Sequence, residues 1–148
     1  MSRKSQLSSI KSIARAREED DARVLAKTLD RKSSAEQKLV ELIGYREDYE
    51  TRLKLNYSQN GAFIEQLREG RAFVERLSDA IRQQQQQIGK ITKELDSQLE
   101  SWRSSHASHK ALGSLLERYR REAVRIDDRR SDAEMEDAFN SRYAARLR

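Results

Sequence analysis

Between Val74 and Ile126 the apolar positions recur in alternating steps of three and four. The series is Val74, Leu77, Ile81, Gln84, Ile88, Ile91, Leu95, Gln98, Trp102, Ser105, His109, Leu112, Leu116, Tyr119, Ala123 and Ile126, and the positions between are mainly charged, Gln or Ser. An α-helix turns every ~3.6 residues, so this spacing keeps one narrow stripe on a single side. A stripe that narrow suits a coiled-coil seam better than the wide apolar face of a globular-domain helix. It persists for more than seven heptads with no Pro, far beyond an ordinary globular helix. A helix of that length cannot hide its stripe alone in water. The pattern therefore predicts a coiled coil whose first partner lies in the same chain.

A second, less regular pattern supplies that partner. Leu7, Ile10, Ile13 or Ala14, then Val24 or Leu25 and Leu29, mark its first part, and Ala35, Leu39, Leu42, Tyr45, Tyr49 and Leu53 its second. Residues 31–34 leave the stripe thin. The one clear break is Asn56-Tyr57-Ser58-Gln59-Asn60-Gly61, whose residue types tolerate the left-handed backbone of a reversal, with Gly suited to a helix C-cap. Two striped helices joined by a short polar loop make an αα-hairpin. The expected elements are helix 1 over about 3–57, a turn at about 58–62 and helix 2 over about 63–140, followed by a frayed tail, all in one coiled-coil unit spanning 1–148. Folding about residues 59–60 sets Leu42 against Leu77, Leu25 near Ile91 to Leu95, Ile10 near His109 and Leu7 near Leu112. The fold class is all-α, a long antiparallel two-helix hairpin, its paired part roughly 80 Å long at ~1.5 Å per residue. Beyond about Tyr119 helix 2 outlasts helix 1. That overhang either frays or orders on a partner.

Composition narrows the class. The chain has 148 residues, no Pro and no Cys, with 37% charged and 36% hydrophobic residues, below the ~45–50% apolar share of globular domains. A compact core of the usual kind is not expected. The net charge is +5, but acidic and basic residues are mixed throughout, as on a solvated helix surface. Lack of Cys excludes disulfides and thiol chemistry and agrees with a reducing compartment. No apolar run approaches the ~20 residues of a membrane span, and the N-terminus lacks a secretory h-region. A soluble intracellular protein is expected.

The sequence predicts no enzyme, no cofactor and no metal centre. Its five glycines are dispersed at 44, 61, 70, 89 and 113, so no glycine-rich phosphate cradle exists. His106 and His109 are three apart, but with no third ligand at helical spacing they fall short of a metal site. His109 lies on the seam, where a polar register role fits it better. The acidic run Glu18 to Asp21 reads first as a solvated face paired at i,i+4, and second as a site for a metal or a cationic partner. Ser residues are plentiful, but a two-helix rod offers no pocket in which one could meet a His. The run Gln83 to Gln87 simply continues the helix.

What remains is surface. Near the closed end, Leu39, Leu42, Ile43, Tyr45 and Tyr49 cannot all face one partner helix, and neither can Phe73, Val74, Leu77, Ala80 and Ile81. An apolar, aromatic patch left over from the seam marks a protein-binding surface, unless this end has a broader core. The spacing Leu42-x-x-Tyr45-x-x-x-Tyr49 before the turn and Phe73-x-x-x-Leu77-x-x-Ala80 after it resembles the bacterial flagellar FliJ family. Lys11 and the run Asp20-Asp21-Ala22-Arg23 in helix 1 extend the resemblance, as does Ser101-Trp102-Arg103 in helix 2.

The resemblance implies a cytoplasmic, non-enzymatic component of the flagellar type III export apparatus, held peripherally at the inner membrane at the flagellar base. It implies an antiparallel two-helix coiled coil similar to the central stalk of rotary ATPases. Such a stalk inserts into the hexameric ring of the export ATPase FliI, promotes its assembly, contacts the export-gate protein FlhA and hands on export chaperones. By the same resemblance the protein-binding residues are Leu42, Tyr45 and Tyr49 on helix 1 and Phe73, Leu77, Ala80 and Gln84 on helix 2. Phe73 and Leu77 take the gate contact. The chain departs from the family at Gln84, commonly His, and at Lys38, where a Gln is found. Alternatives are the equivalent stalk of a virulence secretion system, a self-associating structural coiled coil, and a basic coiled coil binding RNA or an acidic membrane through residues 118–130. Glu122, Asp127 and Asp128 interrupt that last stretch, which makes it a poor nucleic-acid footprint.

Overall fold

The computed structural model describes residues 3–60 and 64–147. Two helices account for them: α1 (Arg3–Asn60) and α2 (Ile64–Arg146). No strand occurs among the described residues. Neither helix holds a Pro, so no backbone donor is lost along either. Hydroxyl side chains inside the helices bond back one turn: Thr28 Oγ1 donates to the Val24 carbonyl at 3.1 Å, Thr51 to Glu47 at 2.9 Å and Thr92 to Ile88 at 2.8 Å. Such back-bonding satisfies a hydroxyl that would otherwise need water, which lets Thr28 lie buried in the seam.

The intrachain contacts fall into two compact units, Asp20–Trp102 and Met1–Glu19 with Arg103–Arg148. In the first, the helices run antiparallel: Leu53 lies against Gly70, Arg46 Nη1 donates to Ser78 Oγ at 3.3 Å, and Arg31 Nη1 pairs with Glu94 Oε2 at 3.2 Å. Its buried apolar residues are Ala35, Ile81 and Ile91. In the second unit the same antiparallel sense shows in Lys11 against Gly113 and Glu18 against His106 and His109, beside the buried Ser105.

Helix 2 follows the stripe read from its sequence from Val74 to Tyr119, every position of which is buried or half-buried. Ala123 and Ile126 do not follow it; both are exposed. Helix 1 departs further. Its seam positions, all covered, are Leu7, Lys11, Ala14 and Glu18, then Asp21, Leu25, Thr28, Lys32, Ala35, Leu39, Leu42, Arg46, Tyr49 and Leu53, with Ile43 and Gly44 half-buried beside them. This is an unbroken alternation of three and four in which charged residues hold seam positions. Ile10, Ile13, Val24, Leu29 and Tyr45, the off-register apolar positions, are exposed. Long charged side chains cover a narrow seam with their methylenes while the head group reaches water.

The register also differs from the expected one. Helix α1 continues through Asn60, beyond the expected limit of about 57. Gly61, to which a C-cap role was assigned, lies outside the described residues. Pairing shifts accordingly by about one helical turn. Glu18, not Ile10, meets His109, and Ile10 faces solvent. At the other end α2 stays helical through Arg146, beyond the expected limit of about 140, and every described residue from Arg120 to Leu147 is exposed.

Candidate functional site

The surface singled out by sequence lies wholly within the unit Asp20–Trp102. It is built on one turn-spaced row of each helix. On α1, Leu42 and Tyr49 occupy the seam, half-buried, while Tyr45 between them points outward at 61% exposure. On α2, Leu77 and Gln84 sit on the seam and Ala80 beside it, all half-buried, while Phe73 is 39% exposed. The apolar surplus at this end thus divides. Leu39, Ile43, Val74 and Ile81 are covered, and Tyr45 and Phe73 are the members left open.

The structure brings two of the seven residues into direct ring contact. The Tyr49 and Phe73 centroids are 4.7 Å apart at an interplanar angle of 50°, a tilted geometry that favours the edge of one ring against the face of the other. Arg76 Cζ stands 5.9 Å from the Phe73 centroid, at the outer range of a cation–π contact. Phe73 thus contacts both Tyr49 and Arg76 while part of its surface stays in water. Gln84 is anchored differently: its Nε2 donates to the Ala35 carbonyl at 3.0 Å across the pair. That bond ties Gln84 to packing, and Leu77 shares the seam with it.

Sequence reasoning missed the supports of this surface. Gly70 is one: a Cβ there would overlap the end of the Leu53 side chain, which would have to shift. Arg46 is the other, a seam cation whose guanidinium finds Ser78. Both fall on the three–four spacing, which was the signal that could have found them. Away from this surface, Glu18 presents one carboxylate oxygen to each histidine, Oε1 to His106 Nδ1 at 2.9 Å and Oε2 to His109 Nδ1 at 2.6 Å. Those bonds, His106 first, hold the Glu18 carboxyl below the ordinary carboxylate range, against a smaller opposing effect of burial. Among the described residues no group of three or more His, Cys, Asp or Glu is arranged to hold a metal. No helix among them is long and apolar enough to cross a membrane.

An antiparallel pair of long helices is a helical hairpin of the coiled-coil class. The family model described as "Flagellar FliJ protein" matches residues 3–148. The chain is 31% identical over 140 residues to the flagellar FliJ protein of Escherichia coli K12, covering 95% of this chain and 94% of that one. It is 29% identical over 140 residues to the flagellar FliJ protein of Salmonella typhi, with the same coverage of 95% and 94%. No solved structure matches. The chain belongs to the FliJ family of flagellar proteins.

Proposed function

We propose that this chain is a non-enzymatic, stalk-like component of the flagellar protein export apparatus, acting by binding. Membership in the FliJ family supports the coarser role in flagellar export. The finer reading is that the helix pair binds the ring of the export ATPase FliI and promotes its assembly and activity. It also links that ring to the export-gate protein FlhA and to export chaperones, from the cytoplasmic side of the inner membrane.

The observation that carries this reading is an exposed Tyr45 and, in the same unit, a Phe73 that contacts Tyr49 and Arg76 yet stays partly open. An aromatic side chain held against neighbours and left partly in water, as Phe73 is, is suited to anchoring a partner, because little conformational entropy remains to be lost on binding. In this reading Leu42, Tyr45, Tyr49, Phe73, Leu77, Ala80 and Gln84 form the protein-binding surface. Tyr45 and Phe73 make the outward contact, and the half-buried members set its shape.

The test is co-purification of Tyr45→Ala, Phe73→Ala protein with the export ATPase and with the cytoplasmic part of the gate protein, beside circular dichroism of the same sample. Loss of either partner from a protein of unchanged helicity is the expected result. Undiminished capture of both would remove this surface from the function.

A further inference from the structure

Every described residue of the chain from Arg120 to Leu147 is exposed, so nothing in the chain covers the last turns of α2. Met135, Phe139, Tyr143 and Leu147 stand four residues apart along them, each at least 60% exposed. A constant step of four moves each side chain about 40° around the helix, and the row spreads over an arc of about 120°. The alternating step of the stripe from Val74 to Tyr119 holds one line instead, as a facing helix requires. The row therefore suits a broad surface better than the seam of a second helix.

Charge along this part of α2 is just as uneven. Upstream, arginines are interleaved with acids as far as the block Asp132 to Asp137. From Ala138 to Arg148 there is no Asp or Glu, and the charged residues are Arg142, Arg146 and Arg148. At about 100° per residue, Arg142 and Arg146 fall together to one side of the apolar row. Ala138, Ala144 and Ala145 favour helix without adding bulk. We propose that α2 from Phe139 to Leu147 is an interfacial helix that seats on an anionic phospholipid bilayer. Phe139, Tyr143 and Leu147 enter the headgroup boundary, and Arg142 and Arg146 meet the lipid phosphates.

A bilayer surface is a plane, so it accepts an apolar arc that one facing helix leaves partly open. Tyr suits the boundary because its ring is apolar and its hydroxyl stays wet. Arg lays its methylenes along the apolar layer and keeps its guanidinium at phosphate level, where its fork matches the phosphate oxygens. An anionic surface repels the acidic block Asp132 to Asp137, which ends the seat on its upstream side. No helix among the described residues is long and apolar enough to cross a membrane, so the contact lies in the plane of the interface. One short amphipathic stretch binds reversibly, and the electrostatic share of its affinity falls with salt. This seat is separate from the surface at Tyr45 and Phe73, which belongs to the unit Asp20–Trp102, and it requires none of the export partners.

The experiment is co-sedimentation of the purified full chain with vesicles of phosphatidylcholine alone and of an equal mixture with phosphatidylglycerol, at low salt. The expected result is binding to the mixed vesicles roughly tenfold or more above binding to the neutral ones. Arg142→Gln, Arg146→Gln should weaken it on the order of tenfold, and Phe139→Ala, Tyr143→Ala by a similar factor. Arg125→Gln, Arg129→Gln removes the same charge upstream and should weaken binding by less than about threefold. All six substituted positions are exposed, so each variant keeps the hairpin. Binding that is no stronger on the mixed vesicles overturns the assignment, as does an upstream loss equal to that of Arg142→Gln, Arg146→Gln. Full binding without the two rings refutes it as well, since a diffuse basic surface would then suffice. Capture of homopolymeric RNA in place of vesicles would give these arginines to nucleic acid instead.

Discussion

Ile91 and Gln98 occupy equivalent steps of the same stripe, one heptad apart on α2, yet the seam treats them oppositely. Ile91 is 3% exposed, and its truncation leaves a cavity where the two helices meet. Ile91→Ala should cost about 2–4 kcal/mol of stability, read from chemical denaturation followed by circular dichroism. Gln98 Oε1 is buried and makes no hydrogen bond among the described residues. A buried carbonyl without a donor forfeits its hydration with nothing in return. Gln98→Leu should therefore stabilise the chain by about 1–2 kcal/mol, seen as a higher denaturation midpoint, and an unchanged or lower midpoint would refute the reading. Glycines divide the same way. Gly89 has open space around the position of a Cβ and Gly70 does not, because Leu53 fills it. Alanine at 89 should gain close to 1 kcal/mol of helix propensity. At 70 the gain is offset by displacement of Leu53, so the two melting curves should move apart.

At the scale of the helix, legibility depended on what occupied the seam. Helix α2 could be read along its stripe from Val74 to Tyr119 because its seam is mostly apolar. Helix α1 was misread at Ile10 and Leu29, where an apolar residue sits next to the seam and a charged or hydroxyl residue sits on it, while of the open pairs Ile13 or Ala14 and Val24 or Leu25 it is Ala14 and Leu25 that lie on the seam. Polarity alone ranked Ile10 above Lys11 and Leu29 above Thr28. Constancy of the three–four step would have ranked them correctly. Glu18 was seen as part of a solvated acidic run because its partners are about ninety residues away, and no local pattern reveals a contact across a hairpin. Its bonds to the two histidines have a further consequence in acid. The Glu18 carboxyl is held below the ordinary carboxylate range, so it contributes stability above that range and loses it as pH falls through the lowered value. Melting of the unmodified chain should accordingly drop in acid more steeply than melting of Glu18→Gln, which has no carboxyl to titrate. The final stretch of α2 behaves as its exposure dictates. No described residue from Arg120 to Leu147 is covered, so a chain ending at Arg121 should lose helical signal yet keep the melting midpoint of what remains.

For the whole molecule, the net charge of +5 and the ion pairs within one helix do little to hold the fold. Arg15–Glu19, Arg23–Asp20, Lys32–Glu36, Arg82–Asp79 and Arg121–Glu117 all join neighbours on one helix, worth about 0.3–0.5 kcal/mol each. The seam carries the stability, and that separates two kinds of residue within the candidate binding surface. Family resemblance pointed to seven positions, of which the heptad register already set Leu77 and Gln84 on the seam. Packing supplies the distinction. Leu77 and Gln84 are half-buried, with Gln84 bonded to the Ala35 carbonyl, so replacing either disturbs α1 as well as any partner. Tyr45 is 61% exposed, and Tyr45→Ala should change stability by less than about 0.5 kcal/mol. Phe73→Ala gives up its contact with Tyr49 and should cost about 1 kcal/mol. If binding through this surface drives flagellar export, cells carrying Tyr45→Ala, Phe73→Ala should lose swarming on soft agar while the purified protein keeps its helicity and most of its melting temperature. Leu77→Ala should lower both together. Full motility with the doubly substituted protein would leave these aromatic side chains without a role in export, and a collapse of its helicity would return them to the core.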